Sequence, residues 1–374
     1  MSSASRLKLF WLSDANTAHT ERWVRALAAR GHEILLFSFI RPHRDVFASI
    51  PGVRLESANL PSDLVYATDG SLGKIAYMRA VPTVRALAKK FAPDVCHTHY
   101  VSSYGIVGML AGLRPRVASI WGSDVYTTPF RSVVHRLAIH SVLRTANTVL
   151  STSWVMREQG LRICRRDMRV VPFGIDINRF VPPATSREPG RPVVIGTVKS
   201  LEPKYGIDVL IEAFAIVRQE FGSLNPQLLI AGGGTRRAEY ESLVDRLGLR
   251  DTVTFTGSIE YSKVHEVHQQ LDIAVFPSVE DSESFGVSVI EAQACARPVI
   301  VSRVGGLPEV IGEGRTGLVV PPRDKVALAR AIGTLLEDPQ RARALGEAGR
   351  AHVCATYGLE HSTDLLEGEY RQLV

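Results

Sequence analysis

Three carboxylates, Glu280, Asp281 and Glu283, crowd one short polar stretch, and a fourth, Glu291, follows Glu283 by eight positions. Ahead of them a buried-strand pattern ends at Phe276, and a helical pattern runs from Gly286 to about Ala296. A small-residue loop that leads from a strand's carboxyl end into a helix start presents unsatisfied backbone N–H groups and the positive end of the helix dipole, and together these hold phosphate. Phe285, Gly286 and Val287 would supply the donors. Carboxylates at a helix start can also serve only as caps. Beside an anion they would repel it, unless they accept hydrogen bonds from hydroxyl groups elsewhere on the same ligand. That combination points to a sugar nucleotide.

The elements that must position these groups alternate along the chain. Arg6 to Leu12 reads as a first strand, Thr20 to Arg30 as an amphipathic helix and Glu33 to Ile40 as a second strand, a β-α-β unit. Short apolar strands follow at Asp94 to His99, Val117 to Trp121 and Thr148 to Thr152, with helices at Val81 to Phe91, Ser102 to Leu113 and Val133 to Arg144. The stretch from Ala184 to Pro192, polar and rich in Pro, Ser and Arg, reads as a linker. The alternation then restarts, with strands at Val193 to Val198, Gln227 to Ala231, Val253 to Thr256 and Asp272 to Phe276. Helices at Ile207 to Phe221, Arg236 to Leu247 and Ser262 to Gln270 lie between them. The expected architecture is α/β: two doubly wound parallel-sheet, Rossmann-like domains, 1–180 and 181–356, whose facing carboxyl edges make a cleft. A final helix at 357–374 could cross back to the first domain.

Composition narrows the classes. The 374 residues, 45% hydrophobic and 22% charged, have the balance of a soluble globular chain of two or three domains. No apolar run reaches the ~18 to 20 residues of a membrane span. The run at Leu7 to Leu12 is cut by Ser13-Asp14 before it reaches the length of a signal-peptide core. Four widely separated cysteines, Cys96, Cys164, Cys295 and Cys354, fit reduced thiols and neither a disulfide framework nor a zinc site, so the expected location is cytoplasmic, either free or peripheral on the inner face of the membrane. Net charge is uneven: residues 1–180 carry 24 Lys/Arg against 12 Asp/Glu, +12, and residues 181–374 carry 20 against 26, −6. So basic a half attracts polyanions: nucleic acid, an anionic membrane surface or phosphorylated small molecules.

The Glu-x7-Glu pattern from Glu283 to Glu291, its Ser-Phe-Gly core and the following Ala296-Arg-Pro-Val-Ile-Val-Ser-Arg-Val-Gly-Gly-Leu-Pro-Glu309 resemble the donor-site region of the retaining glycosyltransferases of family 4, which have the GT-B fold. The resemblance extends to Val171-Pro-Phe-Gly-Ile-Asp176, Gly196 to Gly206, Ile230-Ala-Gly-Gly-Gly234 and Phe255-Thr-Gly257, and so covers the C-terminal half. It implies that Glu283 binds donor sugar hydroxyls and that Glu291 binds the nucleotide ribose. It also implies that Lys199 and Lys204 hold the diphosphate, where family members have an Arg and a Lys. Lys for Arg keeps the charge and loses the bidentate fork. Gly257 falls within the donor-side motifs.

The N-terminal half departs from the family. Ser13-Asp-Ala-Asn-Thr-Ala18 stands where a glycine-rich loop is usual, leaving Asn16 and Thr17 as side-chain donors. Trp121-Gly-Ser-Asp124 keeps the Gly and Asp of His-Gly-x-Asp and loses the His. Asp124 could orient substrate or cap the next segment, and Trp121 could stack on a sugar face or fill the core. His97 and His99, at a strand's carboxyl end, are acceptor-side candidates or packed core groups.

The expected reaction is sugar transfer from a nucleotide diphosphate, most readily a UDP- or GDP-sugar, to the hydroxyl of a glycan or lipid-linked acceptor, as in surface polysaccharide or glycolipid assembly. Retention is implied by the resemblance, and no metal or other cofactor is expected, because cations and helix dipoles would stabilise the leaving group. Two rival readings are a sugar-nucleotide epimerase on the same fold and a noncatalytic nucleic-acid binder using the basic half. The second lacks an RNP motif, a zinc finger or a basic helix, so no nucleic acid is expected. Gly232-Gly-Gly-Thr-Arg-Arg237 does not complete a dinucleotide fingerprint.

Overall fold

The computed structural model describes residues 6–66, 72–184 and 190–374. Most of the expected linker, residues 185–189, lies outside the described residues. The chain divides into two compact units: Met1–Phe173 with Glu360–Val374, and Gly174–Leu359.

In the first unit the strands are β1 (Lys8–Leu12), β2 (Glu33–Ser38), β3 (Val53–Ser57), β4 (Val95–His99), β5 (Arg116–Ser119), β6 (Thr148–Ser151) and β7 (Arg169–Val170). They form one sheet in the order β3-β2-β1-β4-β5-β6-β7, with every pairing parallel. The second unit has β8 (Val194–Val198), β9 (Gln227–Ala231), β10 (Val253–Gly257), β11 (Ile273–Phe276), β12 (Val299–Ser302) and β13 (Leu318–Val320), ordered β10-β9-β8-β11-β12-β13 and again all parallel. Right-handed crossovers cover both faces of such sheets, so the central strands are apolar on both sides. β1, β2 and β11 are accordingly buried almost throughout. Each sheet reverses its winding between its first and fourth strands, at β1/β4 and at β8/β11. Open α/β sheets bind ligands at this reversal, beyond the carboxyl ends of the strands.

Two helices expected to be regular begin irregularly. Over 102–113 the chain first makes a wide π-type turn at Tyr100–Tyr104 and only then an α-helix at Gly105–Leu110. Tyr100 sits at φ 58, and the Val101 N–H turns away to donate to the Asp124 carboxylate at 3.1 Å. Over 262–270 a tight turn at Tyr261–Lys263 precedes the helix Val264–Gln270.

The unit boundaries differ from 180/181 and 356/357. Residues 174–180 go with the second unit because Ile175 bridges Gly358 and exchanges backbone hydrogen bonds with Tyr357 and Leu359, while Phe180 is fully buried against Tyr261 and His268. The last helix, Leu359–Arg371, supplies Leu366 and Tyr370 to the first unit's core. Arg30 pairs with Asp364 at 2.7 Å and with Glu367 at 2.9 Å. This helix is acidic, so the first unit as built carries 24 Lys/Arg against 15 Asp/Glu, +9.

Tyr370 is completely buried, and its hydroxyl lies 2.6 Å from His97 Nδ1. Burial holds the phenol well above its ordinary pKa and the imidazole well below its own, so the pair is neutral and the bond joins the helix to β4. Tyr370→Phe removes the hydroxyl and leaves a buried ring nitrogen without its partner, a loss of about 1–3 kcal/mol. Thermal unfolding of the variant is expected to show the first unit melting earlier; an unchanged melt would mean that the bond contributes nothing net.

Candidate functional site

The second unit's site is built where its sheet reverses. Lys199 follows β8 directly, and the loop from Pro277 to Gly286 follows β11. Lys199 Nζ lies 2.7 Å from Glu283 Oε1, and the two side chains are only 12% and 10% exposed. Lys199 also stands over the Tyr205 ring, 4.5 Å from its centroid, and Lys204 lies over the same ring at 4.8 Å. A phenol ring that both ammonium groups approach offsets their mutual repulsion. Neighbouring loops are stitched together: the Lys199 N–H donates to Ala231 O, the Val279 N–H to Lys204 O, and the Ser288 hydroxyl to Val198 O at 2.8 Å.

Two glycines permit this closeness. A Cβ on Gly305, at φ 46, would stand 2.1 Å from the Glu283 carbonyl oxygen, and one on Gly232 would stand 1.9 Å from that of Lys199. Both members of the ion pair are thus backed by chain that only glycine can bring so near. The Gly306 N–H completes the Glu283 turn by donating to Glu283 O, and the Gly305 N–H donates to Asp281 Oδ1. Glu280 and Asp281 are exposed, unlike Glu283.

The helix Val287–Ala294 starts beside this pair with Gly286 as its N-cap, and no side chain caps it. Its first N–H groups therefore remain available to an anion, with the positive dipole end behind them. Val287 is half-buried, and Phe285 is buried edge-on to Tyr357. Glu291, one turn further on, is 4% exposed. Its Oε1 accepts from the Tyr261 hydroxyl at 3.1 Å, and its Oε2 faces Nε2 of the fully buried His268 at 3.8 Å. Gly257, at the end of β10, accepts the Gly232 N–H through its carbonyl at 3.0 Å. Tyr205, Tyr261 and His268 escaped the sequence reading. Tyr205 had a legible signal in Lys-Tyr-Gly between two candidate cations, whereas Tyr261 and His268 approach Glu291 only through folding.

In the first unit, the candidates gather at the carboxyl edge near β1/β4, but several are already occupied. Asp124 is completely buried; it accepts from the backbone N–H groups of Val101, Trp121 and Gly122, and braces the loops after β4 and β5. Burial pushes its carboxyl up to about 6, against the pull of those donors. His97 is bonded at both ring nitrogens, to Tyr370 and at 2.6 Å to Ser119 Oγ, which makes it a packed group and not one presented to a ligand. His99, 2% exposed, lies between Trp11 and Trp121 with its pKa lowered to about 3 by burial. Asn16 spends its side chain on the backbone of Arg41 and His43. Trp121 is 9% exposed and packs with His19, Tyr100 and Phe173 in an aromatic cluster at the sheet edge.

A cavity of about 730 Å³ in the second unit lies at the opposite, amino ends of β8, β11 and β12, lined by residues such as Val193, Ile273 and Pro298. Its size does not locate the chemistry: it holds neither Lys199, Glu283 nor Glu291. Among the described residues, no group of three or more His, Cys, Asp or Glu is arranged to hold a metal ion, and no helix is long and apolar enough to cross a membrane.

Comparison with known proteins agrees with this geometry. Residues 182–352 match the model of the glycosyl transferases group 1 family, and residues 8–153 match the glycosyl transferase 4-like family. The GDP-mannose-dependent alpha-(1-6)-phosphatidylinositol monomannoside mannosyltransferase of Mycolicibacterium smegmatis is 32% identical over 261 residues, covering 66% of this chain and 67% of that protein. A D-inositol 3-phosphate glycosyltransferase of Corynebacterium jeikeium is 33% identical over 323 residues, 75% of this chain and 72% of that protein. Among solved structures, sucrose-phosphate synthase from Thermosynechococcus elongatus superposes with a TM-score of 0.84 at 27% identity, covering 98% of this chain and 99% of that one. HepE of Anabaena, in complex with UDP, has the same fold: TM-score 0.80 at 19% identity, covering 98% of this chain and all of that one. The chain belongs to the group 1, family 4-like glycosyltransferases, and its two Rossmann-like domains are those of the GT-B fold. It is a nucleotide-sugar-dependent glycosyltransferase, which sets aside the reading of the chain as a noncatalytic nucleic-acid binder.

Gly305→Ala should displace Glu283 and weaken binding of the nucleotide sugar at least about tenfold, because a contact of 2.1 Å cannot be relieved without moving the backbone. Gly222→Ala, which meets nothing within 4 Å, is the control and should bind normally. Calorimetric titration with the preferred donor reads both; equal affinities would show that the Glu283 turn does not shape the donor site.

Proposed function

We propose that the chain is a retaining glycosyltransferase that moves a sugar from a UDP- or GDP-sugar to a hydroxyl of a lipid-linked or glycan acceptor, in surface polysaccharide or glycolipid assembly. The observation that carries this reading is the Lys199–Glu283 pair, set beside an uncapped helix start at the point where the second sheet reverses. Glu283 accepts from donor sugar hydroxyls, Glu291 accepts from the ribose diol, and Lys199 and Lys204 face the diphosphate together with the N–H groups at Gly286 and Val287.

When the glycosidic bond breaks, negative charge grows on the departing diphosphate, and fixed cations and helix N–H donors stabilise it more than they stabilise the bound donor. These groups need no metal partner to do so. A sugar that replaces Lys199 at the Glu283 carboxylate also releases the ammonium toward the phosphates, coupling recognition of the sugar to stabilisation of the leaving group. No protein nucleophile is assigned, so same-face attack, with the leaving phosphate taking the acceptor proton, accounts for retention. One relative's name supports a lipid-linked acceptor, a phosphatidylinositol monomannoside, whereas another names inositol 3-phosphate, a small phosphorylated acceptor without a lipid. Trp121, with Tyr100 and His19 beside it, is the acceptor-side surface of the first unit, and the cytoplasmic leaflet of a membrane is the expected place of action.

Lys199→Ala and Lys204→Ala should each lose ~1.5 to 3 kcal/mol of affinity for the nucleoside diphosphate and almost none for the nucleoside, since the hydrogen bond lost is to a charged group. Titration with UDP and uridine, and with GDP and guanosine, makes the comparison; equal losses for both members of a pair would remove the lysines from the phosphate site. Proton NMR of the product should show the donor's anomeric configuration, and inversion would refute retention.

A further inference from the structure

The helix Val133–Thr145 buries Ile139, Val142 and Leu143 against the first unit. A surface helix with one buried face ordinarily turns polar side chains outward. Here the outward side of the first two turns is apolar: Val133 and Val134 are each 74% exposed, Leu137 is 60% exposed, and Phe130, just before the helix, is 60% exposed. Single exposed apolar residues need no explanation, but Val133, Val134 and Leu137 share one side of the helix, and Phe130 is exposed just ahead of its N-cap Ser132.

Cations flank this face. Arg131 and Arg136 are interleaved with it and exposed. The loop after the helix Trp154–Leu161 is tied alongside: Arg136 donates to Arg162 O, His140 Nδ1 lies 3.0 Å from Ile163 O, and Arg166 donates to Leu143 O. That loop presents Arg162 and Arg165 to solvent. Residues 127–169 contain eight arginines and no lysine against two acids, Glu158 and Asp167, of which Glu158 pairs with Arg157 and Asp167 with Arg169.

We propose that this face docks the first unit onto an anionic lipid surface. Phe130, Val133, Val134 and Leu137 enter the boundary between headgroups and acyl chains, and Arg131, Arg136, Arg162 and Arg165 meet the lipid phosphates. Charge selects this occupant: a second copy of the chain would bring arginine against arginine, whereas guanidinium forks match phosphate oxygens, and an apolar patch framed by basic groups is the arrangement that holds a helix in a membrane interface. The helix begins at the carboxyl end of the sheet, the edge that carries Trp121 and Tyr100, so docking sets that edge beside the lipid. The inference builds on the lipid-linked acceptor reading but concerns a different surface, and the two can fail separately.

The test is co-sedimentation of the full chain with phosphatidylcholine vesicles, with and without phosphatidylglycerol, at low and high salt, accompanied by sedimentation velocity without vesicles. Val134→Ser/Leu137→Gln changes exposed positions only and should melt like the wild type. It should bind anionic vesicles at least about tenfold more weakly at both salt levels. Arg162→Gln/Arg165→Gln should lose binding mainly at low salt, where the attraction is least screened. Undiminished binding of the apolar variant would overturn the docking face, as would absence of wild-type binding at low salt, or self-association that the apolar variant abolishes. Vesicle binding by an enzyme that glycosylates only soluble acceptors would leave the docking face standing and remove the lipid-linked acceptor.

Discussion

An ion pair between Lys199 and Glu283, nearly excluded from water, is the contact on which the second unit's site depends. Taking two charges out of water costs free energy, and removing one partner of such a pair leaves an uncompensated charge, so the sequence must hold both in place by other means. It does so with the Tyr205 ring beneath the ammonium, with glycines at 232 and 305 behind the two backbones, and with hydrogen bonds that join the loops after β8, β9 and β11. The pair has a physical use in a transferase: a carboxylate and an ammonium that satisfy each other when no ligand is bound can separate onto a sugar hydroxyl and a phosphate when one is.

The same order of the first six strands in both sheets places the two sets of candidate residues by one rule. Loops after the first and fourth strands meet where winding reverses, and there the second unit puts Lys199 and Glu283 while the first unit puts Asp14 and Tyr100. The contents differ with the task. The second unit offers charge and uncapped N–H groups, suited to a diphosphate. The first offers aromatic faces, Trp121, Tyr100 and Phe173, and its buried Asp124 carboxylate holds the backbone at Trp121 and Val101.

Much of this was legible before folding. Buried parallel strands announce themselves as short apolar runs, and Gln227–Ala231 has the bounds its composition suggests. β3 was missed because it is a half-exposed edge strand of mixed character, and β7 and β13 because two or three residues carry no periodicity; β12 was missed too, although it is a fully buried apolar run. In the site, carboxylate spacing and a glycine at the helix start singled out Glu283, Glu291 and Gly286. Partners brought in from elsewhere in the chain had no local signal: His268 faces Glu291 across 23 positions, and Lys199 reaches Glu283 across 84. His97 shows the converse, since its place at a strand's carboxyl end suggested a ligand role, and only the fold reveals that Tyr370, 273 positions away, occupies it.

The central claim is that Glu283 reads the sugar while its lysine partner reads the phosphates. Glu283→Gln keeps the shape and removes the charge, so the most direct measurement is calorimetric titration of wild type and variant with the preferred nucleotide sugar and with the matching nucleoside diphosphate. Affinity for the sugar nucleotide should fall at least about tenfold, about 1.4 kcal/mol. Affinity for the diphosphate should hold or rise, because Lys199 is no longer tied to a carboxylate. Parallel losses for both ligands, or no loss for the sugar nucleotide, would contradict the account.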